Sequence, residues 1–374
     1  VGLDTKAGRL KYTLRTRESG KSRGMVITHR DRRNLERVAR WYSLTIDHMA
    51  RMELGWPAWA TMLSNSEVPT GGELTPMPDG SPGQRASTYY ATISRRMSLL
   101  SSLSVPGYDE GLVTRLDSWE PGEKTSGWWL TKAGKEYLQA PYAIATRPAT
   151  LKAQHTWDSA DLGNQLETMF GLDVLSEREM MAGQTYRDGE TREVPVTLFQ
   201  SRRKGGGPNG ALPRSKRPDL ALLHYDERGR VSFTAIEVER IGSRPMKEYR
   251  DKLLTYMDDP HVDAVWYLCD RNSIRNRVRQ AMNDLIQAGE VTNPSQTPLL
   301  VDTVQHWGQP TKQMRDDNFT RRNTSWVGLP GIGLDGSVLL NSEGQPSNVG
   351  QRTLRMIRTE QQAQDVPMTP ERSA

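Results

Sequence analysis

The sequence predicts an α+β protein in two parts: three helices closed by a β-hairpin, then a three-layer α/β sandwich built on a mixed sheet. Three observations carry this. Apolar residues recur at helical spacing through three segments before position 101, and two short alternating strands follow. Beyond about 150 the order becomes helix, strand, strand, helix, strand, which suits a sheet with both parallel and antiparallel pairs. A chain of 374 residues with 32 glycines and 22 prolines also has the length for about two domains joined by long loops.

In "THRDRRNLERVARWYSLTIDHMARMEL", Thr28 caps a first helix whose Leu35, Val38, Ala39 and Tyr42 share one face. Thr45 caps a shorter second helix carrying Ile46, Met49 and Met52. The Pro- and Gly-rich run at 64–83 is a long loop. A third helix lies in "RASTYYATISRRMSLLSSL", with Tyr90, Ile93, Met97 and Leu100 on its buried face and Gln84, Thr88 and Arg95 turned to the opposite side. Strands Leu112–Trp119 and Trp128–Thr131 then flank a Pro-Gly turn, and a short helix follows. This order makes a winged helix-turn-helix over 28–140. Such a module sets its third helix in the major groove of double-stranded DNA and its hairpin beside the phosphates, so Gln84, Thr88, Arg95 and Lys124 are the candidate DNA contacts. Winged helices also dock proteins, and the pattern alone leaves both uses open.

Charge distribution points the same way. The formal charge is +5, and residues 1–40 hold twelve Lys/Arg against four Asp/Glu. Residues 1–27, without periodicity, are expected to form a flexible basic arm that meets a polyanion such as DNA, or else a merely solvated one. No run reaches the ~20 apolar residues of a membrane span and no apolar signal core opens the chain, so the expected location is the cytoplasm, with no membrane partner. Mean hydropathy is −0.69. Cys269 is the sole cysteine, which excludes an internal disulfide and a cysteine-based zinc site; its apolar surroundings "VDAVWYLCD" read as core.

After a linker near "APYAIATRPAT", the second domain is expected over 150–304: a helix near 159–170, a glycine-broken basic stretch at 201–217, strands 219–225 and 231–239, helix 245–257, strand 262–268, helix 271–288 and strand 298–303. Residues 305–374, rich in Gly, Gln, Ser and Pro, read as a mostly flexible tail, although "TSWVGLPGIGLDGSVLL" has residues able to pack.

The second domain holds the chemistry. In "VSFTAIEVE" side chains alternate, which puts Val231, Phe233, Ala235, Glu237 and Glu239 on one face. Two carboxylates sharing a face with Phe233 and Ala235 are costly to bury unless a cation compensates them. The preceding strand begins at Pro218-Asp219, and a hairpin through Glu227–Arg230 brings Asp219 beside the glutamates. Three oxygen ligands of this kind suit Mg²⁺ or Mn²⁺, and a metal so held activates water or polarises a phosphodiester, for DNA cleavage. The competing reading makes the acids ion-pair partners of Arg217, Arg240 and Arg244.

"RPD" followed by "IEVE" resembles the PD-(D/E)xK nuclease motif, in which a Pro-Asp and a Glu bind metal and a lysine two residues after the Glu assists the attacking water. Asp219 and Glu237 match the two acids, whereas Glu239 stands where lysine is usual. The words "ITHRDRRNLERVARWYSLTIDHMARM", "GWWLTKAGKEYL", "LKAQHTWDSADLGNQLE", "VLSEREM", "KRPDLALL" and "IEVERIGSRPMKEYRDKLLTYM" occur in the order seen in the replication-relaxation family of actinobacterial plasmids and integrative elements. That resemblance, over roughly 25 to 290, implies a winged helix fused to a restriction-endonuclease-like domain, encoded on mobile DNA. Some proteins of this architecture are similar to relaxases, which nick a transfer origin, and the implied partners are a transfer or replication origin and other relaxosome or replication proteins.

With position 239 acidic, Lys252 is the candidate replacement lysine: it sits at the boundary of the face formed by Met246, Tyr249, Leu253 and Met257, beside Tyr256. Glu167 matches in kind an extra acid that some such nucleases place near the metal; an exposed glutamate is its plain alternative. His155 reads as a packing or capping residue. Two functions therefore stand: a metal-dependent nicking or cutting enzyme, and a non-catalytic DNA-binding accessory or regulator of plasmid replication or transfer with a degenerate nuclease fold.

Overall fold

The computed structural model describes residues 11–14, 24–56, 58–59, 86–117, 126–143, 153–194, 217–240, 244–307, 326–333 and 336–364. The loop at 64–83, the basic stretch at 201–216, and Gln84 and Lys124 lie outside them. The chain divides into two compact units, one of residues 1–160 with 184–193 and 308–325, the other of 161–183 with 194–307 and 326–374. The fold is mixed α/β with a mixed five-stranded sheet, and among the described residues no helix is long and apolar enough to cross a membrane.

In the first unit, helices His29–Trp41, Ile46–Leu54 and Ala86–Ser101 precede strands Val113–Asp117 and Ser126–Leu130 and helix Lys132–Leu138. Thr28 caps the first helix in a reciprocal box with Asp31, and Thr45 caps the second. Leu35, Val38, Ala39, Ile46, Met49, Tyr90, Ile93, Met97 and Leu100 are buried. Tyr42 departs from its expected place: it ends the first helix at φ 71° and is half-buried, while Trp41 fills the core. Met52 is also half-buried. Leu44–Thr45 adds a third strand to the hairpin, pairing Leu44 with Trp128. Gly134 is required inside its helix because a Cβ there would meet the Leu112 carbonyl oxygen at 2.1 Å.

Two expectations change here. The basic arm is not structureless throughout: Lys11–Leu14 pairs antiparallel with Gly24–Val26 and with Leu103–Ser104. Pairing to a strand some ninety residues away is a non-local effect that a periodicity reading of 1–27 misses. The hairpin Gln184–Glu193 belongs to this unit although it falls outside 28–140. Tyr186 fixes it there, its N–H donating to the Tyr142 hydroxyl at 2.8 Å and its own hydroxyl donating to the Leu138 carbonyl.

The second unit centres on the sheet, ordered 299–303, 262–269, 231–239, 220–225, 174–176. The first three strands run parallel, linked by helices Met246–Met257 and Asn272–Gln287; the last two pair antiparallel. Strand Val174–Ser176, which sequence does not announce, covers the outer side of Leu220–Leu222. The two crossover helices bury Tyr249, Leu253, Tyr256, Ile274, Val278 and Leu285 against Phe233, Ala235, Val265 and Val301. The opposite sheet face, with Leu222, Ile236, Val238 and Trp266, is buried as well.

The segment after 305 is therefore not mostly tail. Gln165, on helix Ala153–Phe170, accepts from Leu329 N–H at 3.1 Å and donates to the Val327 carbonyl, fastening strand Trp326–Gly328. Helix Asn348–Gln364 follows, with Ile357 buried and Arg352 paired to Asp302 beside Trp266. A sheet with two apolar faces needs cover on both, and these interactions supply it from a segment too polar to advertise itself.

Candidate active site

Strand Val231–Glu239 lies inside the sheet, paired antiparallel to 220–225 and parallel to 262–269, so both of its faces are dry. The alternation expected from sequence holds, and it buries Glu237 and Glu239 to 2% exposure each. The last antiparallel pair is Leu220 with Ile236, which sets Asp219 beside Glu237 one step further on. Asp219 is held on three sides: its N–H donates to the Ile236 carbonyl at 3.1 Å, its carbonyl accepts from Glu177 N–H at 3.2 Å, and Oδ2 accepts from Val238 N–H at 2.8 Å. The unexpected strand 174–176 and its capping box at Ser176 and Glu179 supply the Glu177 contact.

The helix layer closes over this row. Lys252, only 9% exposed, donates through Nζ to Glu237 Oε2 at 2.5 Å. Tyr256, one turn further along the same face, donates to Glu237 Oε1. Tyr267, in register with Glu237 on the parallel neighbour, is buried, and among the described residues its hydroxyl has no hydrogen-bond partner. Arg244 places Nε 3.2 Å from Glu239 Oε2.

Asp219, Glu237 and Lys252 thus come together, as the boundary phase of Lys252 on its helix allows. Glu239 instead meets Arg244, one of the ion pairs the competing reading named. Motif and spacing do not single out Tyr256 or Tyr267 as site residues; Tyr256 is legible as the residue four after Lys252, whereas Tyr267 depends on strand register. Among the described residues no three His, Cys, Asp or Glu side chains gather as a metal-binding group, so neither Glu239 nor Glu167 extends Asp219 and Glu237 into a triad. Glu167 is half-buried on its helix, as is His155. In the first unit Arg95 is exposed on helix 86–101, and Thr88 lies in that helix's first turn. The adjacent Arg96 has a structural task, pairing with Asp31 and the Val26 carbonyl. Cys269 is buried, and burial pushes its thiol up to about 12, in keeping with a core residue.

Three acids gather near two cations, Lys252 and Arg244. Burial, aided by the charge of Asp219 and opposed by Lys252, raises the Glu237 carboxyl from 4.5 to about 7. Burial alone would lower the Lys252 ammonium, but Glu237 and Asp219 outweigh it and hold it above its ordinary range. Burial and Glu237 likewise push Tyr256 and Tyr267 well up, so neither is a ready nucleophile. An all-oxygen donor set and, among the described residues, a buried hydroxyl without a hydrogen-bond partner fit a small hard cation in chemical kind, with Asp219 and Glu237 as the groups that would hold it.

No family model, curated protein or solved structure matches the chain.

Proposed function

We propose that this is a DNA-processing protein of a mobile element: a winged helix in the first unit binds an origin-like site on double-stranded DNA, and a nuclease-like second unit nicks or cuts it with Mg²⁺ or Mn²⁺. The observation that carries the reading is the meeting of Asp219, Glu237 and Lys252 on one sheet face. These are the residue kinds of a PD-(D/E)xK site, with the lysine delivered from the following helix and not from position 239. A divalent ion, when bound, supplies Lewis-acid stabilisation of the phosphodiester and an acidified water. Asp219, fixed through its backbone on both sides, and Glu237, oriented by Tyr256, would hold it. Lys252 keeps its proton, so its task is to orient Glu237 and donate toward developing negative charge. Arg244 keeps Glu239 occupied.

The test is relaxation of supercoiled plasmid in Mg²⁺ or Mn²⁺ by wild type and by Glu237→Gln. The expected loss is on the order of 10²-fold or more, the usual scale for removing one electrostatic group from a cleavage site. Nicking that persists unchanged in the variant ends the proposal.

One observation favours a second reading. Both oxygens of Glu237 and one of Glu239 already have protein partners, as in a closed and retired site. A non-catalytic accessory protein of replication or transfer predicts salt-dependent DNA binding indifferent to Asp219 and Glu237. Mn²⁺ titrated calorimetrically into wild type and Asp219→Ala separates the two, because heat abolished by the substitution excludes the retired site.

A further inference from the structure

A second charged cluster lies at the edge of the same sheet. Arg275 and Arg279, four residues apart on helix Asn272–Gln287, stand near the same edge strand, Leu299–Thr303, as Arg352 of helix Asn348–Gln364: Arg279 bonds Val301 and Arg352 pairs with Asp302, and both helix arginines act on its charge. Like charges at this helical spacing destabilise a helix, so their presence needs a cause. Asp302, an acid on the edge strand, is committed: it is buried, accepts from Trp266 Nε1 at 3.1 Å and pairs with Arg352. Arg279 reaches only the Val301 carbonyl at 3.5 Å. Among the described residues Arg275 has no ion pair, and its Nε is buried without a hydrogen-bond partner. Arg352 takes Asp302, and among the described residues Arg279, like Arg275, has no ion pair. Burial and the charges of Arg279 and Arg275 hold the Arg352 guanidinium below its ordinary range, a sign of crowding.

We propose that Arg275, Arg279 and Arg352 form a site for the sugar-phosphate backbone of nucleic acid. Guanidinium forks match phosphate oxygens, and charges drawn from two helices along an open strand edge suit an extended anion better than a compact one. Position supports the choice. Glu239, Cys269 and Thr303 are in register across the three parallel strands. The arginines thus flank the same carboxyl end of the sheet as the acids, two strands or ~10 Å away, where α/β sheets commonly bind ligands. The inference rests on the reading that this chain handles DNA, and it gives the second unit its own hold on the strand.

The experiment measures binding of the full chain to a short labelled duplex over a salt series, in chelator to prevent cleavage. Arg275→Gln/Arg279→Gln should weaken binding and flatten the log K against log salt slope by about 1.8, at ~0.9 for each phosphate no longer neutralised. Arg275→Lys/Arg279→Lys should restore most of the slope, and thermal stability of the Gln variant should hold or rise as repulsion is relieved. An unchanged slope and affinity overturn the proposal, as does a drop in affinity that tracks a drop in thermal stability. If wild type binds no DNA even at low salt, this site and the DNA-processing reading fall together. Arginine-dependent binding by a protein that never nicks plasmid upholds the site and removes only the nuclease.

Discussion

Each unit buries a cation beside an acid and a tyrosine, but the two clusters are finished differently. In the first unit Arg51 has no exposed surface and lies 5.4 Å from the Trp56 ring and 5.0 Å from that of Trp59. Trp59 Nε1 donates to the Tyr90 hydroxyl at 2.6 Å, and Tyr90 also bonds Asp47, one turn before Arg51. The aromatic faces enclose the guanidinium. In the second unit Lys252 and Arg244 face three acids, and among the described residues the Tyr267 hydroxyl has no hydrogen-bond partner. The first cluster is a cation walled in by aromatic rings. The second is a row of acids whose central carboxyl titrates near neutrality.

The strongest way to test that contrast is to break the first cluster. Arg51→Met removes a cation enclosed by two tryptophans and takes a positive charge from the surroundings of buried Asp47. Loss of one member of a buried pair typically costs about 3–5 kcal/mol, and chemical denaturation should show that cost with or without divalent metal. Dependence of the cost on metal would contradict the separation of roles.

The second cluster should instead respond to protons. Glu237 has its folded pKa raised from 4.5 to about 7, so between those values the folded state binds the extra proton. Stability from this group is fully present below 4.5, is lost as pH rises to about 7 and stays flat above. At 1.36 kcal/mol per unit the loss is on the order of 3 kcal/mol. In chelator, the denaturation free energy of wild type should fall relative to Glu237→Gln across that window; parallel profiles would show that Glu237 does not titrate there.

Lys252→Met sharpens the comparison further. Removing a buried lysine ordinarily strands its acid, yet Glu237 already titrates near neutrality and can take up a proton instead. The expected cost is about 1–3 kcal/mol above that titration, and smaller below it. A cost as large as that of Arg51→Met at every pH would mean that the lysine is fixed core and no part of an adjustable site.

How much of this was legible depends on range. Strand 231–239 and helix 246–257 emerge from local patterns, and with them come Glu237, Glu239 and the boundary placement of Lys252. Asp219 joins them through a short hairpin, still a local device. What escaped was set by distant partners: strand 174–176 has only three residues and gains its place by pairing with 220–222, and helix 348–364 is too polar to signal that it covers a sheet. Tyr267 and the arginine cluster belong to the same class, because they require the register of parallel strands joined through whole helices. The rival reading of Glu239 also proved local: Arg244 stands five residues away and meets it.

Tyr267→Phe is the smallest change and the most specific. An unpartnered buried hydroxyl costs ~1–3 kcal/mol of desolvation, so deleting it should stabilise the metal-free protein by about 1 kcal/mol without altering packing. If the hydroxyl is kept because it serves a bound cation's water, the same substitution should reduce the stabilisation that Mn²⁺ confers, since ligand-linked stability follows RT ln(1 + [L]/Kd). Thermal unfolding of wild type and variant, with and without Mn²⁺, separates the terms. A higher melting temperature without metal together with a smaller Mn²⁺ increment marks Tyr267 as part of the site. A lower metal-free melting temperature shows a hydroxyl already satisfied, and Tyr267 then has no part in the site.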